Sequence, residues 1–92
     1  MAKKRNKLEV IYDILKVIKN KNGKIKPTHI MYKSNLSHQM MEEYLNELKE
    51  KKFIKQTTNK NKKTYTVTQR GQEYIDKFKF IIEFTDSFGL NF

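Results

Sequence analysis

Two short segments rich in β-branched and aromatic residues restrict the fold most strongly, because most of the remaining sequence has a helical pattern. The segments FIKQT (53–57) and TYTVT (64–68) are predicted to form antiparallel strands. The Lys-rich stretch between them is predicted to form the turn. Two strands alone are marginally stable in water. We therefore expect a mainly α chain with a small β-hairpin that packs on helices, an α+β fold.

Four segments have the apolar spacing of amphipathic helices. In the first, Leu8, Ile11, Leu15 and Ile18 recur on one face. The predicted helices cover about 7–19, 27–33, 38–51 and 69–88.

Turn and capping residues separate these segments. Gly23 is expected to end the first helix in a left-handed conformation, and Ile25 fits a brief strand. Pro27 suits the first turn of the second helix, where its missing N–H costs nothing. Ser37 and Thr68 are placed to cap the third and fourth helices.

Length and composition indicate one small globular domain. The chain has 92 residues, of which 37% are hydrophobic and 33% charged. It contains no cysteine, which excludes disulfides and thiolate metal sites. No apolar run reaches the roughly 18 residues of a membrane span, and no signal peptide is recognisable. We expect a cytoplasmic, nucleoid-associated protein that has no membrane partner.

Positive charge is concentrated in the first three quarters of the sequence. Residues 1–67 contain 17 Lys or Arg against 6 Asp or Glu, whereas residues 68–92 contain 3 against 4. An AT-rich genome can enrich a whole proteome in lysine, but it does not explain why the last quarter differs. A basic body with a neutral, apolar tail indicates a part that binds a polyanion and a part with another role.

The order of elements is that of a helix-turn-helix followed by a wing, the hairpin of residues 53–68. The segments EVIYDILKVI (9–18), KPTHIMYKSNLSHQMMEEYLNELKEKKFI (26–54) and YTVTQRGQEYI (65–75) resemble the small archaeal winged-helix-turn-helix DNA-binding proteins. The resemblance implies that the third helix enters a major groove and that the wing contacts the DNA backbone or minor groove. It also implies that the last helix pairs with that of a partner.

The chemistry of DNA suggests which side chains make these contacts. Amide side chains bind adenine edges, a carboxylate accepts from cytosine N4, and lysines and helix N-termini bind phosphate. The candidates for base contact are Gln39, Glu43 and Asn46. The candidates for backbone contact are Lys3, Lys4, Arg5, Lys33, Ser37, His38, Lys60, Lys62 and Lys63.

The chain is divided into a flexible basic arm (1–7), a winged helix-turn-helix domain (8–68) and a C-terminal helix (69–92). Packing on the first helix of the same chain could cover Tyr74, Phe78, Ile81, Ile82 and Phe88. Phe80, Phe84 and Phe92 would then remain exposed, so we expect a homodimer. The candidates for the dimer interface are Tyr74, Phe78, Ile81, Ile82, Phe84 and Phe88.

These features predict a DNA-binding protein, either a dimeric transcriptional regulator or a chromatin-type protein, whose partner is double-stranded DNA. The alternative is a winged-helix module for protein–protein interaction, which the Glu-rich third helix suits. RNA binding is a weaker option, because no aromatic platform lies on a basic strand pair. No catalytic group, cofactor, metal site or small-molecule ligand is predicted.

Overall fold

Helices and strands follow each other in the predicted order within residues 5–21 and 24–90, which the computed structural model describes. The elements are α1 (Lys7–Asn20), α2 (Pro27–Lys33), α3 (His38–Glu50), β1 (Ile54–Asn59), β2 (Lys62–Val67) and α4 (Gln69–Ser87). The predicted α+β winged helix-turn-helix class is confirmed. None of the helices in the described part of the chain combines the length and apolarity needed to cross a bilayer.

Local side-chain chemistry sets where the helices begin. Asn6 and Glu9 form a capping box at α1, in which each side chain bonds the backbone N–H of the other residue. Pro27 opens α2. The hydroxyl oxygens of Ser37 and Thr68 accept from backbone N–H groups of α3 and α4, as predicted.

Three helices end in the same backbone motif, in which the second residue after the cap donates to a carbonyl five residues earlier. Each motif needs one residue with positive φ. Asn35 supplies it after α2, Lys52 after α3 and Gly89 after α4, with φ of 55°, 62° and 69°. Gly23, predicted to end α1, lies outside the described residues.

The hairpin is longer and its turn is tighter than predicted. β1 continues to Asn59 and β2 begins at Lys62, so only Lys60 and Asn61 form the turn. Both have positive φ, 50° and 66°, which matches the right-handed twist of the paired strands. We use "the wing" below for β1, this turn and β2. Ile25, for which a brief strand is predicted, forms an isolated β-bridge to Tyr65 of β2.

One apolar core lies between α1, α2, α3, the wing and the first half of α4. Its fully buried side chains are Ile14, Leu15, Ile18, Ile25, Ile30 and Leu48.

The start of α4 is fixed tightly to the end of α3. The Thr68 hydroxyl donates to the Lys52 carbonyl at 2.6 Å, and the Thr68 N–H donates to the Phe53 carbonyl at 3.0 Å. A Cβ atom at Gly71 would overlap that same Phe53 oxygen. The first turn of α4 therefore has one position relative to the domain.

Candidate nucleic-acid interface

The outward face of α3 is set by its apolar anchors. The buried side consists of Met41, Leu45 and Leu48. Gln39, Glu43 and Asn46 lie on the opposite side at spacings of four and three, and all three are exposed. The structure thus brings the three predicted base-contacting residues together on one stripe of the helix.

Two of these three residues bond each other. Gln39 Nε2 donates to Glu43 Oε1 at 3.1 Å. The side-chain oxygen of Gln39 and the second Glu43 oxygen keep acceptor capacity, and the remaining Gln39 N–H and the Asn46 amide can donate. The stripe therefore presents both donors and acceptors.

The charge of α3 is opposite to that of the whole chain. Four glutamates and one lysine give residues 38–50 a net charge of −3, whereas the complete sequence has +10. Only part of this charge is compensated nearby. Glu47 pairs with Lys7 at 2.9 Å, and Glu42 lies 3.7 Å from His38. α3 alone therefore repels a phosphate backbone.

The wing has two faces, because successive side chains of a strand alternate. The inner face, towards α3 and the core, carries Ile54, Gln56, Thr58, Lys63, Tyr65 and Val67. The outer face carries Lys55, Thr57, Asn59, Lys62, Thr64 and Thr66. The three predicted wing lysines therefore divide: Lys63 is on the inner face, Lys62 on the outer face and Lys60 at the tip. Residues 54–67 include four lysines and no acid.

A cleft of about 170 Å³ separates α3 from the inner face of the wing. Lys63 and Lys49 line it from two sides, together with Glu42 and Asn46. Lys49 Nζ is held at 2.9 Å from the Gln56 side-chain oxygen. Burial, and secondarily the Glu42 carboxylate, raises the pKa of Tyr65 at the base of this cleft.

Three other predicted backbone contacts lie at the ends of α2 and α3. Lys33 closes α2 and is exposed. Ser37 caps α3 with its oxygen, which leaves the hydroxyl hydrogen available to a phosphate. His38, in the first turn, is exposed on the same end.

Arg5, a predicted backbone contact, is bonded within its own domain. Its guanidinium donates to Asp13 Oδ2 at 2.7 Å and to the Ser34 carbonyl at 2.6 Å. Asn6 caps α1, which begins at Lys7, so residues 5–7 of the predicted arm are in contact with the domain. Lys3 and Lys4 lie outside the described residues.

The predicted dimer residues fall into two groups. Phe78 is buried against Tyr12 of its own chain, and the Tyr74 hydroxyl donates to the Leu8 carbonyl at 2.8 Å. Phe78 is therefore covered by its own chain, whereas Tyr74 is only partly buried and stays a candidate for the predicted interface. The others lie beyond the point where α4 leaves the domain: Ile81, Ile82, Phe84 and Phe88, with Phe80 beside them. Phe80, Phe84 and Phe88 are 67%, 53% and 66% exposed.

Sequence reasoning did not identify Lys24, which the bridge at Ile25 carries to the outer face of the wing. The signal was available, because a lysine directly before a strand residue lies at the sheet edge. The carbonyl partners of Arg5 left no local signal. Among the described residues, no three His, Asp or Glu side chains are grouped as metal ligands.

Comparison with known proteins agrees with this architecture. Residues 4–86 match the profile of the winged helix-turn-helix family. The chain belongs to this family. Its relatives include two archaeal proteins of Methanocaldococcus jannaschii, the uncharacterized proteins MJ0290 and MJ0287. They are 36% and 33% identical over 76 and 84 residues, which are 83% and 91% of the chain. The chain spans 33% of the length of MJ0290 and 80% of that of MJ0287.

A solved structure shares the fold of this winged helix-turn-helix chain. Sso10a-2, described as a DNA-binding protein from Sulfolobus solfataricus, superposes with a TM-score of 0.79 at 20% identity. The superposition covers 91% of the chain and 85% of Sso10a-2. Together with the family match and the archaeal relatives, it confirms the resemblance predicted from the sequence.

Proposed function

We propose that this winged helix-turn-helix protein binds double-stranded DNA as a homodimer and acts as a transcriptional regulator or chromatin-type protein. The observation that carries the proposal is that one surface has separate groups for phosphate and for base edges. The wing offers four lysines without an acid, and α3 offers a polar stripe of Gln39, Glu43 and Asn46. Phosphate contacts position a protein on DNA, and base edges specify the site.

In the proposed complex α3 lies in the major groove and the wing grips the adjacent backbone. Because α3 has a net charge of −3, the wing and the exposed residues Lys33, Ser37 and His38 supply the attraction. Sso10a-2 is described as DNA-binding, which supports the same use of the shared fold. The role of α3 is then to select among sites rather than to add affinity.

Salt-dependent binding tests this proposal. The protein is titrated into a fluorescent duplex of about 25 base pairs over a salt series, as the wild type and with Lys60, Lys62 and Lys63 all changed to Gln. Each lost phosphate contact should reduce by about 0.9 the magnitude of the slope of log K, the association constant, against the logarithm of the salt concentration. The slope of the triple variant should therefore be smaller in magnitude by about 2.7. The control Lys79→Gln removes a lysine from α4 and should retain the wild-type slope. A wild type that does not bind at low salt contradicts the proposal.

The second half of α4 supports the homodimer. Phe80, Phe84 and Phe88 are exposed along about two turns of helix, and apolar area of this kind is usually covered in solution. Pairing of two such helices by a two-fold axis also presents two recognition helices to one duplex.

The dimer is tested by sedimentation equilibrium. Wild type should sediment as a dimer at micromolar concentration and Phe84→Glu as a monomer, because the carboxylate would be buried without a partner. Tyr32→Glu is the matched control, since Tyr32 is a 76% exposed aromatic residue on α2. A monomeric wild type, or dissociation by both substitutions, contradicts an interface on α4.

One observation favours a second function, the docking of a basic protein. The acidic surface of α3 complements such a partner without any change in the fold. If α3 serves this purpose, Glu43→Gln and Glu50→Gln together weaken partner binding, whereas on DNA the same change should raise affinity.

A further inference from the structure

The outer face of the wing forms a second concave surface, separate from the cleft beside α3. It has a volume of about 380 Å³ and is lined by Lys24, Thr57, Asn59, Lys60, Lys62 and Thr64. Three of these six residues are lysines, and none is acidic. The remaining three carry hydroxyl or amide groups that donate hydrogen bonds.

Lys24 reaches this surface because of the local fold. Ile25 pairs with Tyr65 and places a short extended segment beside β2. Ile25 is buried, and the antiparallel register places Lys24 opposite Thr66. Lys24 lines the same cleft as Thr64 and Lys62. The loop between α1 and α2 thereby contributes to the same surface as the wing tip.

Charge makes this surface the most favourable place for an anion on the wing. The lysines of the inner cleft, Lys49 and Lys63, share it with the Glu42 carboxylate. The outer cleft is lined by cations and neutral donors alone.

The structure assigns to this outer cleft a phosphodiester-binding site, formed by Lys24, Lys60 and Lys62, that acts together with the inner cleft. This inference rests on the proposed DNA binding and deepens it. The two faces of the wing hold different phosphates: Lys63 holds those next to α3, and the outer cleft holds those on the far side of the hairpin. A wing placed between two backbones neutralises both.

The test compares the two faces in the 92-residue chain. Three variants are titrated into the same duplex over a salt series. The outer variant carries Lys24→Gln and Lys62→Gln, the inner variant carries Lys63→Gln, and the third combines all three changes. Relative to the wild type, the magnitude of the salt slope should be smaller by about 1.8 in the outer variant, by about 0.9 in the inner variant and by about 2.7 in the combination. All three changes are at exposed residues, and equal thermal midpoints confirm that the fold is intact.

Lys24→Gln alone is the most specific variant, because Lys24 is outside the hairpin and its substitution leaves the sequence of the hairpin unchanged. It should lower the slope by about 0.9, whereas the control Lys79→Gln should leave the slope unchanged. If the wild type binds and Lys24→Gln with Lys62→Gln retains its affinity and slope, the outer site is refuted and the proposed function stands. If the wild type does not bind, the proposed function fails, and the site fails with it.

Discussion

The Tyr74 hydroxyl donates a 2.8 Å hydrogen bond to the carbonyl oxygen of Leu8, 66 residues earlier in the chain. This bond joins α4 to the first turn of α1. The Tyr74 ring also stacks on Phe78, with ring centres 5.9 Å apart. The first and last helices, α1 and α4, are therefore held together at this point of the domain.

Tyr74→Phe should lower the free energy of unfolding by about 1 kcal/mol at neutral pH, because it removes one hydrogen bond and keeps the ring. Burial raises the pKa of Tyr74 to about 12, from an ordinary value of 10. A raised pKa contributes stability that is present below pH 10 and is lost as pH rises through 12. Urea unfolding from pH 9 to 12 should therefore show a smaller loss for Tyr74→Phe than for the wild type. Tyr65, whose pKa is also raised, contributes equally in both proteins because it is present in both. A steeper loss of stability with pH in Tyr74→Phe than in the wild type contradicts this assignment.

Arg5→Gln should reduce stability without changing how DNA binding depends on salt. The guanidinium joins Asp13 of α1 to the turn between α2 and α3, through the Ser34 carbonyl. Hydrogen bonds from a partly exposed charged group of this kind contribute about 1 kcal/mol. Chemical unfolding of the variant measures the loss. Combination with Asp13→Ala should cost less than the sum of the two single changes. A salt slope lowered by about 0.9 would instead make Arg5 a phosphate contact.

Lys52→Gly should stabilise the protein. Lys52 has φ of 62° in the motif that ends α3, and a left-handed conformation costs a non-glycine residue about 1 kcal/mol. Urea unfolding should therefore show a gain of about this size. Lys51→Gly is the matched control: it removes the same charge at the preceding residue, where φ is −82° and glycine brings no relief. Equal effects of the two substitutions would show that charge, not conformation, is responsible.

Gly71→Ala should destabilise the protein by about 1–3 kcal/mol, although alanine is about 1 kcal/mol better than glycine in an open helix. The sign is reversed because the added methyl group would overlap the Phe53 carbonyl oxygen. Gly89→Ala provides the comparison, since a Cβ there has open space and only the φ of 69° opposes it. Thermal unfolding of both variants separates steric from conformational cost, and a stabilised Gly71→Ala would refute the close approach.

Lys60→Gly should have opposite effects on stability and on DNA binding. Glycine relieves the positive φ of the first turn residue and should stabilise the hairpin by about 0.5–1 kcal/mol. If the tip grips phosphate, loss of the charge should also lower the salt slope by about 0.9. Lys62→Gln removes the same charge from a strand position, so it should lower the slope without the gain in stability. A Lys60→Gly protein that is more stable and binds DNA as before would remove the tip from the interface.

The elements of the fold were predictable because their signals are local. Asn6, Pro27, Ser37 and Thr68 act on backbone groups within three residues, and apolar spacing identifies the buried faces. The strand limits were predicted less well. Lysine at a position with positive φ gives no turn signal, so the hairpin turn was placed over the whole polar stretch rather than at two residues.

The site was predictable in its residue types and less so in their arrangement. The spacing of Gln39, Glu43 and Asn46 fixes their common stripe in any helix. The contact between Arg5 and the Ser34 carbonyl depends on how three helices pack, which periodicity does not encode. The same is true of Tyr74 and Phe78. Their spacing matches the exposed aromatic residues of α4, and only the tertiary fold determines where that helix leaves the domain.

The opposite charges of α3 and the wing make the molecule an electric dipole at the scale of its own binding surface. In the field of any polyanion such a molecule experiences a torque as well as an attraction. It turns so that the lysines of the wing face the polyanion and the glutamates of α3 face away from it. If the protein binds DNA as proposed, the hairpin makes the first contact, and α3 approaches only after the lysines have displaced counterions. An exchange of one lysine of the wing with one glutamate of α3 preserves net charge and removes this orientation, which makes productive collisions rarer at low ionic strength.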